Sequence, residues 1–225
     1  MAKKQNQSAR TTLEEVNESL TSAAQRIEEN KKYINWALIA IALIALIAGG
    51  YIYLHNKSVN DAKVKIGEAD LALIQGNEDE ALKKYEQVAD EFGNKVGERA
   101  HLNAAIQLYE KGEYDKALKH LEQYSPSGDL VGPASLSLMG DCYVNLKKYD
   151  KAMAAYDKAI TMSKENEMYT PAFMIKKATL LHEQKKYAEE ATIYETIRDN
   201  YPIYSQMTGF SADKYLERAN ALAGK

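Results

Sequence analysis

Residues Leu136–Ile160 read LSLMGDCYVNLKKYDKAMAAYDKAI, and their spacing describes two helices folded back on each other. Leu136, Met139, Gly140 and Tyr143 recur at steps of three and four, as on one face of a first helix. Ala152 and Tyr156 do the same on a second. Lys147-Lys148 lies between them as the turn. Two helices that cross closely need small residues at the contact, and Gly140 and Ala152 supply them.

Working outward, the same line recurs three more times. It reads GNEDEALKKYEQVADEF from Gly76, GEYDKALKHLEQY from Gly112 and KKYAEEATIYETIRDNYP from Lys185. The residues that close each unit are Tyr85, Leu121, Tyr156 and Tyr194, at spacings of 36, 35 and 38. A period near 34 with two helices per unit is the tetratricopeptide signature. Ala69, Ala105, Gly140 and Ala178 take the small position of the first helices, and Ala81, Ala117 and Ala152 that of the second. The fourth unit breaks the rule, with Glu190 there and Ala191 one step later.

The expected fold is all-α: a tetratricopeptide solenoid of helical hairpins with a C-terminal capping helix, preceded by one transmembrane helix. The repeats fall at about 62–95, 98–131, 133–166 and 171–204 of a domain spanning 55–225. Stacking neighbours cover the apolar face that each hairpin leaves open. The last face is covered by a helix over about 211–223, with Ser211 as its N-cap. In the first unit Lys65 and Glu68 take usually apolar positions, and its first helix is expected to continue from the membrane helix.

The 225 residues carry a net charge of -3, with 29 Lys and Arg against 32 Asp and Glu. That balance excludes nucleic-acid binding by charge attraction. One Cys excludes an intramolecular disulfide framework and multi-Cys metal sites. The composition is uneven, because Trp36–Leu54 (WALIAIALIALIAGGYIYL) holds 19 residues without a charge. At about 1.5 Å per residue it matches the roughly 30 Å of a bilayer's hydrocarbon. A transmembrane helix is therefore expected over 34–54, in contact with the lipid bilayer, with Ala42, Ala45 and Gly49 as a packing face for a neighbouring helix. Residues 1–33 form a tail with an amphipathic helix, opened by a capping box at Thr12–Glu15 and striped by Leu13, Val16, Leu20, Ala23 and Ile27. Lys31-Lys32 beside the span puts the short tail inside and the long C-terminal part outside.

Beyond fold and anchor, Leu130-Val131-Gly132-Pro133, Met139-Gly140-Asp141-x-Tyr143 and Tyr169-Thr170-Pro171 carry a family likeness over nearly the whole chain. The chain resembles single-pass membrane tetratricopeptide proteins of the YfgM type, in the versions found in Bacteroidetes-type bacteria. The resemblance implies a bacterial inner-membrane protein with a cytoplasmic N-terminus and a periplasmic repeat domain. It also implies an ancillary role at the Sec translocon during protein export, with periplasmic chaperones and emerging or unfolded polypeptide clients as partners. A scaffold for a cell-wall or outer-membrane assembly is the alternative.

No enzymatic activity, cofactor or metal is expected. No G-x-S-x-G, H-E-x-x-H, G-x-G-x-x-G or G-x-x-x-x-G-K-[ST] occurs. Ser211-Ala-Asp-Lys214 matches S-x-x-K only formally. His55, His101, His120 and His182 are scattered, and Cys142 reads as a buried small apolar residue. The repeats instead offer a concave, protein-binding surface lined by first helices. Projection of the motif places there Arg99, Asn103, Ile106 and Tyr109, then Ser137, Asp141, Val144 and Asn145, then Lys176, Thr179 and His182. Asn103 and Lys176 occupy places used by a carboxylate clamp for chaperone tails, but the rest of that set is missing.

Overall fold

A computed structural model describes residues 16–18, 20–22, 24–163 and 166–224. The chain divides into two compact units, Met1–Lys57 and Ser58–Lys225. In the first, Val16, Leu20 and Ile27 are helical and exposed. Thr12, Leu13, Glu15 and Ala23 lie outside the described residues. Helix α1 (Lys31–Ile74) begins in this unit and contains an apolar run long enough to cross a membrane. None of that run is buried within the protein. Ala42, Ala45 and Gly49 are exposed on it, and the space beside Gly49 is open.

The second unit is an all-α solenoid of paired helices. The end of α1 pairs with α2 (Glu78–Glu91), and α3 (Lys95–Glu110) with α4 (Tyr114–Gln123). Next, α5 (Val131–Asn145) pairs with α6 (Tyr149–Met162), and α7 (Tyr169–Glu183) with α8 (Tyr187–Asn200). A short helix α9 (Pro202–Thr208) and helix α10 (Ala212–Leu222) complete the array. Among the described residues there is no strand.

Small residues allow these crossings. Ala69, Ala81, Ala105, Ala117, Ala152 and Ala178 are fully buried. Gly140 lies so close to Tyr156 that a methyl group added there would stand 2.5 Å from the ring. The sequence supplies the helix ends as well. Asn94 caps α3 by accepting from the amides of Val96 and Gly97, at 2.9 and 3.2 Å. Ser211 caps α10 by accepting from the Lys214 amide.

Pro202 follows the end of the fourth unit's second helix and sits at the first turn of α9, where proline's missing N–H costs no hydrogen bond. The C-terminal cover is held by packing. Tyr194 and Phe210 stack with Tyr215 at 5.3 and 4.9 Å, while Leu216 and Ala219 enter the core of the fourth repeat.

Candidate functional site

The third and fourth repeats build a groove from the residues upward. Asp141 projects from α5, next to Gly140 at the crossing. Its Oδ1 accepts from the Tyr156 hydroxyl of α6 at 2.7 Å, and its Oδ2 from Lys176 Nζ of α7 at 2.5 Å. One carboxylate thereby ties the two helices of its own repeat and the first helix of the next. Burial and the Asp141 charge both push the Tyr156 phenol well up, so it remains a donor.

Repeat one repeats the device. Asp70 accepts from Tyr85 at 2.7 Å and from Arg99 of the next repeat at 2.5 Å. Burial and Asp70 push the Tyr85 phenol up to about 12. In repeat two the matching places hold Ile106 and Leu121, so the device is absent there.

Beside Asp141 opens a cavity of about 460 Å³, bounded by α5, α6 and α7. Val144, Ile175 and Leu180 supply an apolar floor, Tyr149 and Tyr156 aromatic walls, and Asp141, Lys176, Thr179 and Glu183 a polar rim. Such a surface suits an extended chain that offers an apolar side chain beside polar backbone.

Of the residues expected on the binding surface, Asp141, Val144, Lys176 and Thr179 meet at this cavity. Tyr109 and Asn145 are within hydrogen-bond reach of each other and join repeats two and three nearby. Burial raises the Tyr109 phenol. Arg99 is exposed but committed to Asp70, and Asn103 reaches the Tyr85 hydroxyl. Ile106 is exposed on its helix.

Two expected groove residues are corrected. Ser137 is buried at 2% exposure, because it shares the Gly140 face one turn earlier, and its Oγ has no hydrogen-bond partner. His182 turns away toward α8, where its Nδ1 donates to Glu190 at 2.8 Å and its ring meets Tyr187 edge-on.

Other contacts were not foreseen. Glu190 is fully buried and accepts from both His182 and Arg218 of α10, the latter at 3.0 Å. The four histidines read as scattered, yet His101 and His120 meet across repeat two with their Nδ1 atoms 3.0 Å apart. Burial lowers the pKa of both. Their meeting depends on the hairpin closing, so separation along the chain gave no signal. Tyr149, Ile175, Leu180 and Glu183 were likewise missed, since each becomes part of the cavity only when α7 packs beside α5.

Neither Cys142 nor Ser211 is set up as a nucleophile. Burial pushes the Cys142 thiol up to about 12, which keeps it protonated, and the Ser211 hydroxyl is engaged as a helix cap. Among the described residues no group of three His, Cys, Asp or Glu side chains could hold a metal ion.

Comparisons with known proteins agree with the fold. Models described as tetratricopeptide repeat match residues 66–130 and 133–166. Tetratricopeptide repeat protein 21B of Mus musculus is 29% identical over 147 residues, which is 64% of this chain and 10% of that protein. The Homo sapiens protein of the same name is 28% identical over 148 residues, 64% of this chain and 11% of its own length. The chain thus spans about a tenth of these relatives. Among solved structures, putative kinesin light chain TPR-like repeats from Podosopora anserina superpose with a TM-score of 0.54. Identity there is 14%, covering 72% of this chain and 86% of that one. The MamA protein superposes with a TM-score of 0.52 at 16% identity, covering 73% and 92%.

Proposed function

We propose that this array of tetratricopeptide hairpins is a membrane-tethered periplasmic interaction protein supporting the protein-translocation machinery. In this reading the cavity between repeats three and four holds extended segments of emerging polypeptide. The observation that carries it is the cavity, where an apolar floor lies under a rim of both charge signs. An extended chain presents alternating side chains and unpaired backbone groups, and such a mixed surface accepts both. The apolar run of α1, exposed throughout, supports a membrane span. A tether of this kind raises the local concentration of the groove beside a membrane machine.

A photo-crosslinking residue at Val144 or Thr179, in intact membranes, tests the reading. Translocon subunits, a membrane-anchored chaperone or secretory polypeptides are the expected products. The same probe at Lys158, exposed on α6 and absent from the cavity lining, should give none of them. Products confined to cell-wall enzymes or outer-membrane components would overturn the reading in favour of an envelope scaffold. Protease added to spheroplasts should cleave residues 58–225 in this orientation, whereas protection there with cleavage in inverted membrane vesicles would refute it.

A further inference from the structure

The repeat domain is covered at one end by α10, but the first helix of repeat one carries an apolar face that no helix covers among the described residues. Within Ser58–Ile74 of α1, Ala62, Ile66 and Ala69 are buried against α2. Diametrically opposite run Asn60, Val64, Gly67, Leu71 and Ile74, at steps of four, three, four and three. Val64, Leu71 and Ile74 are 65%, 54% and 82% exposed, although each is large and apolar. The space beside Gly67 is open. Alternating three- and four-residue steps make the seam of a two-stranded coiled coil, with Val64 and Leu71 at one core position and Gly67 and Ile74 at the other.

The flanks of this seam identify what covers it. Exposed Lys63 lies on one side, where Asp70 seven positions later is already taken by Tyr85 and Arg99, and exposed Asp61 and Glu68 lie on the other. In a parallel, in-register pair, a flanking residue meets the one five positions later on the other helix. Lys63 then meets the other copy's Glu68, and twofold symmetry makes the pair twice. In an antiparallel pair the Asp61 and Glu68 flanks would face each other with like charge. The helix is therefore complementary to itself in one orientation.

We propose that the Val64–Gly67–Leu71–Ile74 face of α1 is a parallel coiled-coil interface with a second copy of this chain, flanked by Lys63–Glu68 pairs between the copies. Two heptads bury far less than the roughly 800 Å² per partner of a stable soluble complex. The dimer accordingly depends on confinement of both copies in one membrane. That dependence rests on the membrane-span reading above.

The test uses the full chain in lipid vesicles, carrying Val64→Cys, Leu71→Cys or Lys65→Cys, under mild oxidation. The native Cys142 is buried and contributes no background. Disulfide-linked dimers are expected from Val64→Cys and Leu71→Cys, severalfold above Lys65→Cys. In the Leu71→Cys chain, Lys63→Glu should lower the yield severalfold, and adding Glu68→Lys should restore it. Equal linking at all three sites, no linking at Val64 and Leu71, or no restoration by the charge swap would overturn the proposal. So would a linked product containing a different polypeptide. Flotation of the same vesicles reports separately on membrane insertion, so a failed span and a failed dimer give different results.

Discussion

The third and fourth repeats solve the same crossing with different residues. Repeat three uses Gly140 in its first helix and Ala152 in its second, with the Tyr156 ring pressed against the glycine. Repeat four uses Ala178 and, at the place of Ala152, the carboxylate of Glu190, both fully buried. A buried charge is tolerated only when paired, and Glu190 has His182 on one oxygen and Arg218 on the other. Arg218 belongs to the capping helix and also lies over the Tyr215 ring at 5.2 Å. An internal repeat meets another repeat, so an apolar crossing suffices. The terminal repeat must hold a single helix, and the buried carboxylate adds a directional anchor for it.

The largest expected effect breaks that anchor. Arg218→Met leaves Glu190 buried with His182 alone, and a loss of about 2–4 kcal/mol is expected from denaturant unfolding. Amide exchange should rise first in Ala212–Leu222. Glu190→Gln in the same chain should recover part of the loss, because it removes the uncompensated charge while keeping the volume. A loss unchanged by Glu190→Gln would mean that Arg218 acts through packing on Tyr215 alone.

A smaller effect sharpens the other half of the comparison. Gly140→Ala gives repeat three the residue that repeat four already has, yet it drives a methyl into Tyr156. Overpacking of this kind costs about 1–3 kcal/mol, against about 1 kcal/mol regained from helix propensity. A net loss of up to about 2 kcal/mol is expected in the same unfolding measurement. Net stabilisation would show that the two crossings are interchangeable. Tyr156→Phe, which removes the donor to Asp141, should cost about 1 kcal/mol. Tyr194→Phe should be nearly neutral, because Tyr194 contributes mainly its buried ring.

These contrasts also mark what the sequence could reveal. The hairpins were legible because small and aromatic residues recur at a fixed period, and each acts within its own repeat. Glu190 was visible as a departure from the pattern, but its partner Arg218 lies 28 residues away on a helix outside the repeat. Projection of the motif named Asp141, Val144, Lys176 and Thr179, which come together at the cavity, since their placement follows from the helical face alone. It misplaced His182, whose direction is set by Glu190, and Ser137, which the tight Gly140 crossing encloses. The exposed apolar face of α1 over Val64–Ile74 hid for a different reason: the helix runs unbroken into it from the apolar span, so its stripe looks like an extension of that span.

The smallest expected effect extends the comparison to the first half of the array. At the turn within each hairpin one residue takes the left-handed conformation, so that two amides can reach back to the carbonyls of the ending helix. In repeats one and two it is Gly76 and Gly112, at φ 81° and 77°. In repeats three and four it is Lys147 and Lys185, at φ 56° and 57°. The bonds match: Asn77 to Ala72 at 2.9 Å in repeat one, Lys148 to Tyr143 at 2.8 Å in repeat three. A side chain in this conformation costs about 1–2 kcal/mol, while glycine returns part of that through the entropy of the unfolded chain. Lys147→Gly and Lys185→Gly should therefore each stabilise the domain by about 0.5–1 kcal/mol, read as a rise in thermal midpoint. Gly76→Ala should lose a similar amount, although nothing lies within 4 Å of the added methyl, because backbone conformation alone sets the cost. If Gly76→Ala leaves the midpoint unchanged, the turns of the two halves are equivalent, and the glycines of the first two repeats carry no conformational advantage.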